Sequence, residues 1–257
     1  MDQNMETDNF NIQRTTLLGT PVDLVNMDSA LQWVARQVME GTYARTVLAV
    51  NPEKVIKAQE DSELQEALVH AGLLIPDGIG VVVGLRRSRK RNDQPVNRVA
   101  GADLMVEICA QAARLGHRIF LYGAHPDVNS QAASVLRHRF PTLQIAGAVH
   151  GYLDEDQQSG LVEQINRSNA DILFVALGSP KQEQWMREHC PALNVKVCQG
   201  IGGTLDVLAG RVPRAPALFI ALHLEWLYRL LRQPRRLFRQ TALPRFAFQL
   251  LIHRSAC

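Results

Sequence analysis

The chain has no apolar run long enough to span a bilayer: the longest, Ala215 to Leu222, breaks at His223 and Glu225, far short of the roughly 20 residues a span requires. Its opening MDQNMETDNFNIQ has neither a basic n-region nor an apolar h-region, so no secretory leader is read there and a cytosolic location is expected. The four cysteines, Cys109, Cys190, Cys198 and Cys257, share no short spacing, which argues against a zinc site or a redox pair. Three of them fall in segments that read as buried helix or strand. The eight histidines are scattered with no H-E-x-x-H pairing, so no metal is expected. There is no G-x-x-x-x-G-K-[ST] loop for a P-loop nucleotide site and no G-x-S-x-G elbow for a hydrolase. Acidic residues almost vanish from one end: residues 211–257 hold nine arginines against the single acid Glu225.

What is present is an ordinary globular composition. At 257 residues and 46% hydrophobic, the chain suits one large α/β domain, alone or with an appendage. The net charge of +3 divides into +8 for residues 211–257 and −5 for residues 1–210. That asymmetry separates an acidic body from a basic tail. The expected organisation is a disordered tail over 1–14, an α/β core over 15–210 and a basic amphipathic, membrane-associating appendage over 211–257.

Along the chain, Thr15 to Leu24 reads as a β-hairpin with its turn at Gly19 to Pro21. Asp28 caps a helix reaching about Glu40. The apolar Thr46 to Val50 then enters Asn51-Pro52-Glu53, where Asn51 suits an N-cap, Pro52 a first helical residue and Glu53 the positive helix end. Capping does not exclude a ligand contact at Asn51. Asp61 caps the next helix, which Gly72 ends. Leu73 to Pro76 is an apolar strand delivering Asp77 into the Gly78-Ile79-Gly80 turn ahead of another apolar run. A lone Asp before Gly suits a turn, yet the C-terminal end of a buried strand is also where α/β folds place chemistry.

Arg86 to Arg91, RRSRKR, reads as a charged exposed loop, with a phosphate or membrane-surface contact as the sharper alternative. A helix follows with Leu104, Ile108 and Ala112 on one face, closed by Gly116. From Arg118 strand and helix alternate: strands at Arg118–Tyr122, Gln144–Val149, Ile172–Leu177 and Val195–Cys198, with helices between them. Successive β-α-β units imply parallel strands joined by right-handed crossovers. The fold class is therefore α/β: a Rossmann-like, mostly parallel sheet with flanking helices, a small N-terminal β-hairpin and a basic helical C-terminal appendage. In the tail, Leu218 to Leu231 is helical and apolar, and Arg229, Arg232, Arg236 and Arg239 share a face if the helix resumes past Pro234. Such a segment suits an anionic membrane surface. The body is acidic and carries no legible nucleic-acid module, so no nucleic-acid partner is expected.

Glycine turns at strand ends, Gly123-Ala124, Gly178-Ser179 and Gly200-Ile-Gly202-Gly203-Thr204, suit phosphate. The last of these lacks G-x-G-x-x-G spacing, with Leu205-Asp206 where its final glycine would fall, which disfavours a dinucleotide site. Asp154-Glu155-Asp156 has the D-x-D form of metal-dependent sugar transferases, but Gln157 at the capping-box position favours a helix cap.

Taken jointly and in order, NPEK at Asn51 to Lys54, PDGIG at Pro76 to Gly80, Arg98 to Leu104, GSPKQE at Gly178 to Glu183, Gly200 to Asp206, Arg214-Ala-Pro216 and Leu224 to Arg229 resemble the WecG/TagA/CpsF glycosyltransferases, family 26. The resemblance covers nearly the whole chain from about residue 15. It implies inverting, metal-independent transfer, without a cofactor, of a hexose or N-acetylhexosamine-type sugar. The donor is a UDP-sugar and the acceptor a polyprenyl-diphosphate-linked saccharide, at the inner face of the bacterial membrane. Asp77 matches the general base. Asn51, Arg98, Gly101, Asp103, Gly123, Ser179, Lys181, Gln182, Gly202, Gly203 and Asp206 are expected at substrate, and Arg229, Arg236 and Arg239 close over phosphate. Relatives often carry Thr where this chain has Ala49, so a hydroxyl contact is missing there. The rival reading is a non-catalytic, membrane-recruited nucleotide-sugar-binding regulator, which leaves Asp77 without a role. A homo-oligomer remains open.

Overall fold

The computed structural model describes residues 12–88, 94–213 and 241–252, together with 215, 216, 219, 227, 228 and 230. Its centre is made by the apolar, β-branched runs. Leu73–Pro76 (β4), Ile172–Ala176 (β7) and Val197–Gly200 (β8) are buried at every residue. Strands covered on both faces carry no alternation, which is why these runs read as continuous apolar sequence. With Arg45–Val50 (β3), Arg118–Gly123 (β5) and Gln144–Val149 (β6) they form one six-stranded sheet in the order β4-β3-β8-β7-β5-β6, every pairing parallel. The partly exposed β6 is one edge and the buried β4 the other.

The helices divide between the two faces. Pro52–Ala58 (α2), Ser62–Val69 (α3), Ile79–Ser88 (α4), Glu155–Arg167 (α7) and Lys181–His189 (α8) pack with Leu48, Leu74, Phe120 and Val175. Met27–Glu40 (α1), Gly101–Leu115 (α5), Pro126–Arg139 (α6) and Thr204–Leu208 (α9) pack on the other face with Val47, Ile75, Leu121 and Phe174. Leu104, Ile108 and Ala112 of α5 face the core as their spacing predicts, and Gly116 closes that helix in the left-handed conformation. Chains leaving β7 and β8 thus turn to opposite faces, as do those leaving β8 and β3. Ligand crevices in open α/β sheets form at the carboxyl ends of such strands.

The N-terminal hairpin pairs Arg14–Leu17 (β1) with Thr20–Asp23 (β2). Its turn is Leu18-Gly19, both at positive φ, and Pro21 lies inside β2 opposite Thr16, which corrects the turn expected at Gly19 to Pro21. Two positive-φ central residues match the strand twist, and a two-stranded ribbon tolerates a proline without its N–H. Asp23 joins this hairpin to the body: it accepts from Arg14 at 2.7 and 2.9 Å and from the Leu74 N–H at 2.8 Å.

Other local expectations shift as well. Asn26, not Asp28, caps α1: its side chain accepts from Ser29 N while the Ser29 hydroxyl accepts from Asn26 N, leaving Asp28 in the positively polarised first turn. Helix α3 ends at Val69 with His70 as its cap, before Gly72. Arg86 to Ser88 is the last turn of α4 rather than loop, and Arg86 reaches back to Val96 O and Asn97 Oδ1; residues 89–93 lie outside the described residues. Strand β8 runs two residues later than expected, to Gly200, because Val195 precedes its pairing with β3. Asn51, Asp61 and Asp154 cap their helices as read, Asp154 in a capping box with Gln157.

Ala242–Ile252 (α10) docks on α2 and behind α4. Phe246 packs onto Gly80 and Leu250 onto Gly84, where a β-carbon would stand 3.3 and 3.1 Å from them. Phe248, Leu251 and Ile252 remain exposed. Most of Leu218 to Leu231 and the arginines at 229, 232, 236 and 239 lie outside the described residues. No helix among the described residues is long and apolar enough to cross a membrane.

Candidate active site

Every described residue singled out by its motif lies on or beside the carboxyl edge of the sheet, in two groups. The first is at the ends of β3 and β4. Asp77 directly follows β4, and its N–H donates to Val50 O at 2.8 Å, which fixes the turn against β3. Gly78 follows at φ +106°, a conformation that a side chain would strain, so the turn needs glycine there. The Asp77 carboxylate points across to α5: Oδ2 accepts from Gly101 N at 3.2 Å, and Oδ1 stands 3.8 Å from Arg98 Nε. Ala100 offers no side-chain cap to α5, so Asp77 serves that helix end, with Asp103 in the same first turn. Asn51 is beside this group, its β-carbon 3.9 Å from where a Gly78 β-carbon would stand. Ala49 packs its methyl toward Gly101 at 3.6 Å on the same measure, so position 49 faces the Asp77 turn.

The second group surrounds a cavity of about 580 Å³ at the ends of β5, β7 and β8. Its walls include Tyr122, His125, Tyr152, Trp185, Lys181 and Asp206. Tyr122 and Trp185 are tilted rings with centroids 4.9 Å apart, and His125 meets Tyr152 edge-on at 5.6 Å. Tyr152 is 71% exposed, an aromatic face open to the cavity mouth. Burial pushes the Tyr122 phenol up from its ordinary range, so it stays neutral. Gly123 ends β5, its carbonyl held by the buried Asn129 amide, which also donates to Val149 O. Ser179 precedes a cis Pro180 in the β7–α8 turn. Asp206 lies on α9, and its carbonyl accepts from the Arg211 and Val212 N–H groups where the C-terminal segment begins. A cavity of this size and mixed lining suits a nucleotide-sized ligand.

Between the groups are buried polar side chains, of which Gln182 alone is among the residues expected at substrate. Gln182, expected at substrate, is 4% exposed. Its Oε1 accepts from Gly202 N at 2.9 Å and its Nε2 donates to Glu183 Oε1 at 3.1 Å. Gly200 is needed for this approach, since a β-carbon there would stand 2.7 Å from Gln182 Nε2. Glu183 also accepts from Lys54 Nζ at 2.7 Å, with the two side chains 1% and 6% exposed. Burial pushes the Glu183 carboxyl up, but the Lys54 ammonium and the bonds from Lys54 and Gln182 outweigh it and hold the group below its ordinary value. Gln199, a lone polar residue in the buried β8, donates to Gly101 O at 3.0 Å. Glu183 Oε2 and Gln199 Oε1 are buried without partners among the described residues. Each such acceptor costs about 1–3 kcal/mol.

Residues 15–256 match the WecG/TagA/CpsF family of glycosyl transferases. The chain belongs to that family. The transferase therefore takes a sugar from a donor to an acceptor. The strand residues lining the cavity belong to β5 and β7, and β7 is three strand spacings from β4, about 14 Å, so Asp77 shares the sheet edge with the cavity without lining it. Among the described residues no three His, Cys, Asp or Glu side chains gather as metal ligands, and Asp154 is engaged as a helix cap. Of the expected site residues, Lys181 and Asp206 line the cavity and Gly123 adjoins it; Asn51, Asp77, Arg98 and Gly101 meet at the β3–β4 ends. Gly202 and Gly203 stand between the groups. Arg229, Arg236 and Arg239 lie outside the described residues.

Proposed function

We propose that the protein is an inverting, metal-independent transferase that moves a hexose or N-acetylhexosamine-type sugar from a UDP-sugar to a polyprenyl-diphosphate-linked saccharide in bacterial surface-glycan synthesis, with Asp77 as general base. The observation that carries this reading is the placement of Asp77: a partly exposed carboxylate at a strand end, held by Gly101 N and beside Arg98, on the same sheet edge as a nucleotide-sized cavity. The donor's uracil stacks on Tyr152 or Trp185, and Asp206 meets the ribose hydroxyls. Lys181 and the arginines at 229, 236 and 239 neutralise the diphosphate, which metal-free departure demands.

In the transfer step Asp77 takes the proton from an acceptor hydroxyl. The oxygen attacks the anomeric carbon, the bond to the diphosphate breaks, and UDP leaves from the opposite face with inversion. A positioned base contributes about 10²- to 10⁴-fold. The basic segment 211–257, with the exposed Phe248, Leu251 and Ile252 of α10, brings the enzyme to the inner membrane face where the lipid-linked acceptor resides. The test is Asp77→Ala assayed with a panel of UDP-sugars and a diphospho-lipid acceptor. Transfer is expected to fall by about 10²- to 10⁴-fold while UDP binding by calorimetry is unchanged; parental turnover in that variant removes the base assignment.

A further inference from the structure

We infer that Lys54, Glu183 and Gln199 are positioning residues for transfer: they close a ring of hydrogen bonds around the ends of β3 and β8 that fixes the Asp77 turn against the Gly202 turn. The inference rests on the reading of Asp77 as the base. The ring can be followed bond by bond. Asp77 N donates to Val50 O, and the next residue, Asn51, accepts from Lys54 N at 2.8 Å. Lys54 Nζ donates to Glu183 Oε1, Gln182 Nε2 donates to the same oxygen, and Gly202 N donates to Gln182 Oε1. Gln199, three residues before Gly202, donates to Gly101 O, and Gly101 N donates back to Asp77 Oδ2.

The two arms lie on opposite faces of the sheet. Lys54 and Glu183 belong to α2 and α8, while Gln199 reaches α5 on the other side. The end of β8 is therefore gripped from both faces, and the turn that follows it cannot drift relative to the base. Among the described residues, eight polar or charged residues are buried, and Lys54, Gln182, Glu183, Gln199 and Thr204 are at this junction. Stability alone does not favour such a cluster. A buried ion pair is commonly matched or bettered by apolar residues of similar volume. Glu183 Oε2 and Gln199 Oε1, without partners among the described residues, add a further cost without return. Geometry is what the cluster supplies, and a base misplaced by 1 Å loses about 10²-fold in rate.

The experiment uses the full chain and three variants: Lys54→Met/Glu183→Leu, Gln199→Leu and Asp77→Ala. Melting temperature, donor KM and kcat are read for each. The expected result for the first two is a kcat lower by about 10- to 100-fold, with donor KM and melting temperature near parental values. A kcat within about threefold of parental in both overturns the inference. A drop in melting temperature with parental kcat per folded molecule also overturns it, since the ring is then structural only. If the double variant does not fold, Gln199→Leu decides by the same split. An inactive Asp77→Ala beside active ring variants leaves the base reading standing and removes the ring; a fully active Asp77→Ala removes both.

Discussion

The two halves of the carboxyl edge are built differently. At the ends of β3 and β4 the polar groups are interlocked, with Asp77, Gly101, Val50 and Asn51 held by short backbone contacts and a buried ion pair behind them. At the ends of β5, β7 and β8 the walls are aromatic and open, and Tyr152 is largely exposed. The first arrangement suits a step that demands fixed geometry. The second suits binding by stacking, which tolerates small displacements because any base offers a π-face. On the proposed assignment, the contrast separates rate from donor affinity, one on each side of β8.

The sharpest way to break the contrast is Asp77→Ala, expected to lower kcat by about 10²- to 10⁴-fold with UDP affinity retained. Next in size is Lys54→Ala. It strands a carboxylate that is 1% exposed and is expected to cost about 3–5 kcal/mol in urea denaturation. The same pair sets a pH signature. Because the Glu183 carboxyl is held below its ordinary range, its contribution is present above the unfolded carboxylate value of about 4.3 and is lost as pH falls through the lower folded value. Glu183→Gln is expected to flatten the acid limb of the stability profile. On the cavity side, Tyr152→Ala is expected to raise donor KM by about 5- to 100-fold, the worth of one stacked base, with kcat little changed. A fall in kcat with unchanged KM erases the proposed division. The smallest effect is expected for Asp154→Ala, about 1 kcal/mol of stability through the lost cap. Turnover in that variant, and in parental enzyme with EDTA, is expected to stay within about twofold; a larger loss returns Asp154 to the reaction.

The shared sheet edge was legible because strand-end turns in a parallel sheet lie together: reading Asp77, Gly123, Ser179 and Gly202 as strand-end turns places them on one edge before any coordinates are known. Gln199 also left a trace, as the one polar residue within a buried apolar strand, and it is recoverable in hindsight from burial alone. Lys54 and Glu183 stood only as the last residues of the NPEK and GSPKQE motifs, with nothing to say that they pair, because each sits on its own helix and only their 2.7 Å approach joins them. The same holds for Tyr122 against Trp185 and His125 against Tyr152, whose partners are tens of residues away.

The sequence by itself determined the alternation of strand, glycine turn and helix, the caps at Asn51, Asp61 and Asp154, and the family, since these depend on local chemistry and on motif order. Only the tertiary structure decided that β8 inserts between β3 and β7, which puts the Asp77 turn on one sheet edge with a cavity more than forty residues further along the chain. Strand order is set by which apolar faces bury together most completely, a property of the whole core that no local window of sequence contains.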